Sequence, residues 1–237
     1  MEIPLIADSA GLPYIPHFPL STTLTLLRQY KTRLHLALTT IEDEQLFPNG
    51  SIADPDAWFA ALEHQTDSIL AVIADYPPER VIIGNNWLPM ENYPDHYGRM
   101  LNRLRKSHTN FFSYSAQLNR LDKVPLWAAS DEISIDYTPS ALANHKEYAR
   151  THNASAGKIA QAHQKSIFIF RANILGTDPV LQLKNRLRFW PEDRSITGIC
   201  INTIYSRIAA RDSSSYYGLR KSANFFQYLD KYRRPPE

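Results

Sequence analysis

The chain has 237 residues, 43% of them hydrophobic and 21% charged, with a net charge of +2 at neutral pH and a single cysteine. This length and composition suit one large folded domain or two small ones and exclude a disordered chain, and one thiol excludes an internal disulfide. No apolar run approaches the about eighteen residues that span a bilayer, and the first twenty residues carry four prolines and no basic residue, unlike a signal peptide. A soluble cytoplasmic protein with no membrane partner is therefore expected.

Residues 1–20, punctuated by Pro4, Pro13, Pro16 and Pro19, read as an extended arm, because each proline removes a donor and biases its predecessor away from helix. From Ser21 the apolar positions Leu24, Leu27, Leu34, Leu38 and Ile41 recur at threes, fours and sevens, which favours a helix. Asp54-Pro55-Asp56 is a helix start, with a capping carboxylate, a proline at the first helical position and a second acid near the positive end of the dipole. Trp58, Phe59, Leu62, Ile69, Leu70 and Ile73 then form one stripe, which Tyr76-Pro77-Pro78 stops. Arg80 to Ile83 reads as a short strand, and a loop from Gly84 to Pro94 leads into a basic helix from about Asp95 to Leu121.

From Asp131 onward strands alternate with helices. Glu132 to Tyr137 alternates polar and apolar residues, the pattern of a strand with one wet face. Thr138-Pro139 caps a helix running to about Gln164, and Ser166 to Leu175 reads as a central strand through its apolar stretch to Phe170. Asp178-Pro179 opens a helix that ends at Trp190-Pro191, a strand follows near Ile196 to Tyr205 with Cys200 buried inside it, and a last helix covers Arg220 to Tyr232. The expected fold class is α+β or α/β, with a mainly helical acidic N-terminal half and a β-α-β-α-β-α basic C-terminal half built on a small, partly parallel sheet. The corresponding regions are an arm at 1–20, a helical region at 21–121 and an α/β region at 131–237, which can also form one continuous domain across a weak boundary at 122–130.

The near-neutral total conceals a strong asymmetry. Met1 to Asp95 holds thirteen acidic and four basic residues, a balance of −9, whereas His96 to Glu237 holds twenty-two basic and eleven acidic residues, a balance of +11. A basic surface attracts polyanions. On the helix from Asp95, His96, Arg99, Arg103 and Lys106 share one face, and Lys184 to Arg234 carries eleven basic against four acidic residues among nine aromatic ones. Cations that neutralise phosphates beside rings that stack on bases are the ingredients of nucleic-acid binding.

The leading expectation is thus a non-catalytic, nucleic-acid-binding regulatory or accessory protein. Its phosphate contacts would be Arg99, Arg103, Lys106, Lys184, Arg186, Arg188, Arg207, Arg211, Arg220, Lys221, Arg233 and Arg234. The acidic half would face a protein partner or a second copy. One alternative is an oligomeric scaffold without a nucleic-acid role. A further alternative is a phosphodiester-cleaving or strand-transfer enzyme, with Tyr216 and Tyr217 as catalytic candidates in a hydroxyl-rich loop flanked by arginines.

Neither a metal nor a cofactor is expected. His145, His152 and His163 share a helix stripe but lie about 10 Å and 27 Å apart along its axis, too far for one coordination sphere. Gly176-Thr177-Asp178-Pro179 lacks the clustered glycines of a phosphate cradle and suits a helix cap. No phosphate loop, dinucleotide fingerprint, zinc motif or nucleophile elbow occurs in the chain.

Overall fold

A computed structural model describes residues 1–16, 25, 34–40, 43–137, 145–175, 196–199 and 203–205. The strands are β1 (Glu2–Pro4), β2 (Ile6–Ala7), β3 (Pro13–Tyr14), β4 (His35–Thr39), β5 (Arg80–Asn85), β6 (Phe111–Gln117), β7 (Glu132–Tyr137), β8 (Ser166–Leu175), β9 (Ile196–Ile199) and β10 (Thr203–Tyr205). The α-helices are α1 (Asp43–Leu46), α2 (Pro55–Val72), α3 (Leu88–Glu91), α4 (Pro94–Ser107) and α5 (His145–His163), and two 3-10 turns, Leu118–Lys123 and Pro125–Ala128, join β6 to β7.

Apart from the β2–β3 hairpin, every strand belongs to one parallel sheet in the order β1, β4, β5, β6, β7, β8, with β9 and β10 both beside β8. Ile199 lies opposite Ile169 and Thr203 opposite Asn173, the same offset of thirty residues, so β9 and β10 run in line along one edge of β8. Neighbouring strands follow chain order. Right-handed crossovers that always advance in one direction place their helices on one face, and the other face curls inward as in a β/α barrel. The curl brings Arg171 of β8 into an ion pair with Glu2 of β1, five strand positions away. It also sets the Phe168 ring 5.1 Å from the His35 ring of β4 and 4.9 Å from the Arg80 guanidinium of β5.

Strand alternation sorts the two faces. Leu36, Leu38, Val81, Ile83, Phe112, Tyr114, Ile133, Ile135, Ile167 and Ile169 belong to the main core with Trp58, Phe59 and Leu62 of α2 and Met100, Leu101 and Leu104 of α4. The interior of the curl holds a separate cluster of Ala37, Ile82, Phe168 and Phe170. Ser113, Ser115 and Ser134 are fully buried, and such small side chains on β6 and β7 leave the volume that the two phenylalanines of β8 occupy. At the N-terminal ends of the strands, Arg80 pairs with Glu132 at 2.8 Å and Glu79 at 2.7 Å, while the Thr197 hydroxyl donates to Glu132 at 3.2 Å.

Several expectations hold. Asp54 accepts from the Ala57 N–H at 3.1 Å and caps α2 with Pro55 in its first turn, the strand from Arg80 continues to Asn85, β8 is internal, and the 196–205 strand is present at both ends. The mixed α/β class is correct. The N-terminal half is not helical alone, because β1, β4, β5 and β6 lie there, and the sheet is neither small nor confined to the C-terminal half. The arm contributes an edge strand, β1.

The helical spacing from Ser21 ends in β4, since a spacing of four satisfies a two-residue period as well as a helical one. The basic helix stops at Ser107, and Phe111–Gln117 is a strand whose Phe112, Tyr114 and Ala116 enter the main core. The wet face expected for β7 is buried, because Glu132, Ser134 and Asp136 face the polar interior of the curl. The boundary segment 122–130 connects two paired strands of the same sheet. The helices expected at 178–190 and 220–232, the Gly176 cap and Cys200 lie outside the described residues. No helix among the described residues is long and apolar enough to cross a membrane.

Burial holds the Glu132 carboxyl above the usual carboxylate range, with Arg80 and Thr197 pulling it back. A folded-state pKa raised above the unfolded value gives stability that is fully present below the unfolded pKa and is lost as pH rises through the folded one. Urea unfolding of the wild type between about pH 4 and 8 should therefore show this decline, and Glu132→Gln should flatten it. Equal slopes for the two proteins would contradict the assignment. A Cβ on Gly84, whose φ is +88°, would lie 2.7 Å from the Trp87 ring, so Gly84→Ala should cost about 2–4 kcal/mol in the same measurement.

Candidate functional site at the mouth of the half-barrel

All strands of the sheet are parallel, so their C-terminal ends form a common rim, the place where β/α barrels collect reactive side chains. Here that region receives Asn85 and Asn86 from the end of β5, Gln117 from β6, Asp136 from β7 and Arg171 from β8, joined by Glu2 of β1. Simple alternation does not put them there. Between Ile82 and Asn85 the β5–β6 register shifts, with Gly84 at φ +88°, and this irregularity turns Asn85 inward. Between Ile135 and Asp136 the β7–β8 register also shifts, so that Asp136 faces Arg171 instead of Phe170, and Arg171 joins Phe168 and Phe170 on the inner face.

The resulting polar chain is continuous. Asn86, at φ 58°, donates its backbone N–H to the Ser115 carbonyl at 2.9 Å, accepts the Gln117 N–H on Oδ1 at 2.7 Å, and donates Nδ2 to Asn85 Oδ1 at 3.3 Å. Asn85 Nδ2 in turn donates to Asp136 Oδ2 at 2.9 Å, and Arg171 Nη1 lies 3.7 Å from the same oxygen. The remaining guanidinium edge takes Glu2 in two-pronged fashion, Nε to Oε1 at 3.3 Å and Nη2 to Oε2, while the Phe170 ring centre lies 5.0 Å from the guanidinium carbon. Asp136 is buried, but Arg171 and Glu2 keep 24% and 35% of their side-chain surface open, so a ligand at the rim can reach both. The Ser115 hydroxyl beneath them is buried with no hydrogen-bond partner among the described residues.

A second buried pair braces the rim from outside. Glu91, at the end of α3, accepts from the Tyr114 hydroxyl at 2.8 Å and pairs with Arg120 at 2.8 Å. Burial, reinforced by the Glu91 charge, pushes the Tyr114 hydroxyl well above its ordinary range, so Tyr114 serves as a fixed donor. Among the described residues no group of three or more His, Cys, Asp or Glu side chains is placed to hold a metal ion.

On α4, two of the three cations expected to contact phosphates meet acids of α2. Arg103 pairs with Glu63 at 2.6 Å and Arg99 approaches Asp56 at 3.8 Å, both acids belonging to α2, while Lys106 is exposed. His96 and His108 likewise meet Asp56 at 3.1 Å and Asp67 at 2.7 Å. The acidic and basic parts of the chain therefore face each other across the α2–α4 contact, and the cationic face is largely occupied from within. Lys184, Arg186, Arg188, Arg207, Arg211, Arg220, Lys221, Arg233 and Arg234, and the catalytic candidates Tyr216 and Tyr217, lie outside the described residues. The sequence does not single out the mouth residues, because they are isolated polar positions in or beside strands. The one local signal is the Gly84-Asn85-Asn86 run, a turn-forming triplet directly after an apolar strand.

No protein-family model matches the chain, and no curated protein sequence matches it. Its fold is similar to that of the GH113 β-mannanase of Alicyclobacillus acidocaldarius, solved in complex with ManMIm, at 16% identity and a TM-score of 0.67 over 87% of this chain and 77% of that one. Two further structures of GH113 β-1,4-mannanases match at 12% identity and TM-scores of 0.67, covering 86% and 87% of this chain and 76% of each of theirs. At these identities the likeness shows the fold: a curled parallel α/β sheet of the barrel type found in glycoside hydrolases. Together with the internally paired cations of α4, this overturns the nucleic-acid reading, and with it the DNA-binding regulatory role and the nucleic-acid partner.

Proposed function

We propose that the chain is a glycoside-processing protein that holds a β-linked hexose chain, of the mannan type named for its structural neighbours, across the mouth of the half-barrel. The observation that carries this reading is the convergence of Glu2 and Asp136, from opposite sides of the curl, on the one guanidinium of Arg171. Glycoside hydrolysis uses two carboxyl groups about 5–9.5 Å apart, and two carboxylates that share a guanidinium lie no more than about 9 Å from each other. The fold shared with β-mannanases supports the choice of substrate class.

The roles divide by environment. Asp136, buried and held by Asn85 and Arg171, has the fixed position required to stabilise positive charge at the anomeric carbon or to attack it. Glu2 is the more accessible acid and meets the leaving oxygen, which requires the incoming sugar to separate it from Arg171 first. A second reading, saccharide binding without cleavage, is favoured by the same bridge, because both acids already serve as ion-pair partners of Arg171.

Calorimetric titration with β-1,4-linked manno-oligosaccharides, run beside an assay of reducing-end release, tests both readings. Binding with release is expected, and Asp136→Asn should cut release by about a hundredfold or more while affinity changes less than about tenfold. Binding without release selects the second reading. Failure to bind any member of a panel of β-linked mannosides and glucosides overturns both.

A further inference from the structure

Asn86 occupies the left-handed region at φ 58°, which costs most non-glycine residues about 1 kcal/mol or more, asparagine less and glycine nothing. The other described non-glycine residue of this kind, Gln164 at φ 54°, follows the last residue of α5, where the Lys165 N–H bonds back to the Ala160 carbonyl, so helix termination accounts for it. No helix ends at Asn86. Glycine would adopt this backbone without strain, and glycine already stands two residues earlier. What asparagine adds is its side chain, and both of its polar atoms are used, Oδ1 by the Gln117 N–H and Nδ2 on Asn85 Oδ1.

The second of these bonds has a directional consequence. An asparagine amide can flip end for end, exchanging an acceptor for a donor. With Asn86 donating to Asn85 Oδ1, the Asn85 amide is fixed so that Nδ2, not Oδ1, faces the Asp136 carboxylate at 2.9 Å. A flipped Asn85 would set oxygen against oxygen and push the Asp136 carboxylate away from its present position.

We propose that Asn86 is a positioning residue of the mouth: acting through Asn85, it sets the orientation of the Asp136 carboxylate, and its strained backbone is retained for that purpose. The consequence for catalysis or saccharide affinity rests on the reading given under Proposed function, whereas the relay itself does not.

The test uses Asn86→Gly, which fits the left-handed backbone and removes only the side chain, beside Asn86→Ala, which also strains the backbone. Three quantities are measured on each protein: the melting temperature, hydrogen exchange of the Asn85 side-chain amide protons by NMR, and binding or turnover of manno-oligosaccharide. In Asn86→Gly the melting temperature should stay within a few degrees of wild type. Exchange at the Asn85 amide should quicken about tenfold or more, and affinity or turnover should fall by about tenfold, corresponding to about 1.4 kcal/mol. Asn86→Ala should show the same site defects together with a lower melting temperature. An Asn85 amide that stays as protected in Asn86→Gly as in wild type overturns the proposal. Quickened exchange in a protein that binds no saccharide leaves the relay standing and removes the glycoside reading alone.

Discussion

The guanidinium of Arg171 is the contact that sets the geometry of the mouth on the inner face of the sheet. A parallel sheet whose strands are added in chain order curls, and curling brings the side chains of distant strands to a shared interior with no helix to cover them. At the mouth that interior receives two carboxylates, Glu2 and Asp136, and in Arg171 a cation with enough donors to engage both. Two like charges at that separation repel one another without it. The same contact ties the edge strand β1 to β7 and β8, which share no backbone hydrogen bonds with it. Below it Phe168 and Phe170 fill the middle of the curl, and below them Arg80 and Glu132 close the floor, so the interior is polar at both ends and apolar between.

The parts of this arrangement that sequence reveals are those written in consecutive residues. Asp54-Pro55 announces a helix because capping is a matter of one carboxylate and one turn. Strands β7 and β8 are legible from their own side chains. By contrast, Leu34 and Leu38 fit either a helix or a strand, and only the pairing of β4 between β1 and β5 decides. The composition of Phe111–Gln117 is equally mute until Ser113 and Ser115 are seen facing the interior that Phe168 and Phe170 fill. The charge count was correct and its interpretation was not. A sum over ninety-five residues cannot register that Glu63 of α2 will stand against Arg103 of α4, because that depends on which helix faces meet.

The mouth itself was the least legible element, and the reason is geometric. Reading Ser166 to Leu175 as a regular strand puts Arg171 on the same face as Ile167 and Ile169, among the helices. Reading Arg80 to Asn85 in the same way puts Asn85 beside Val81 and Ile83. One irregularity in each pairing reverses both assignments and creates the site. Irregular pairing weakens a ladder locally, so its appearance in two pairings at the level of Asp136 marks the place where the fold departs from the best sheet in order to aim side chains.

The two ion pairs inside the curl share their chemistry, an arginine with a carboxylate, yet they cannot share a role. Glu132 is 1% exposed, its partner Arg80 is covered by the Phe168 and Phe111 rings, and Thr197 occupies a further acceptor site, so nothing from solvent can compete for that pair. It is a structural tie whose removal leaves a buried charge unmatched. Glu2 and Arg171 keep a quarter to a third of their side-chain surface open, and a solvent-facing pair contributes little to stability because water already solvates the separated ions. A ligand hydroxyl can therefore replace one partner at modest cost. Exposure, not residue type, distinguishes the pair that holds the barrel floor from the pair that can give way to a substrate.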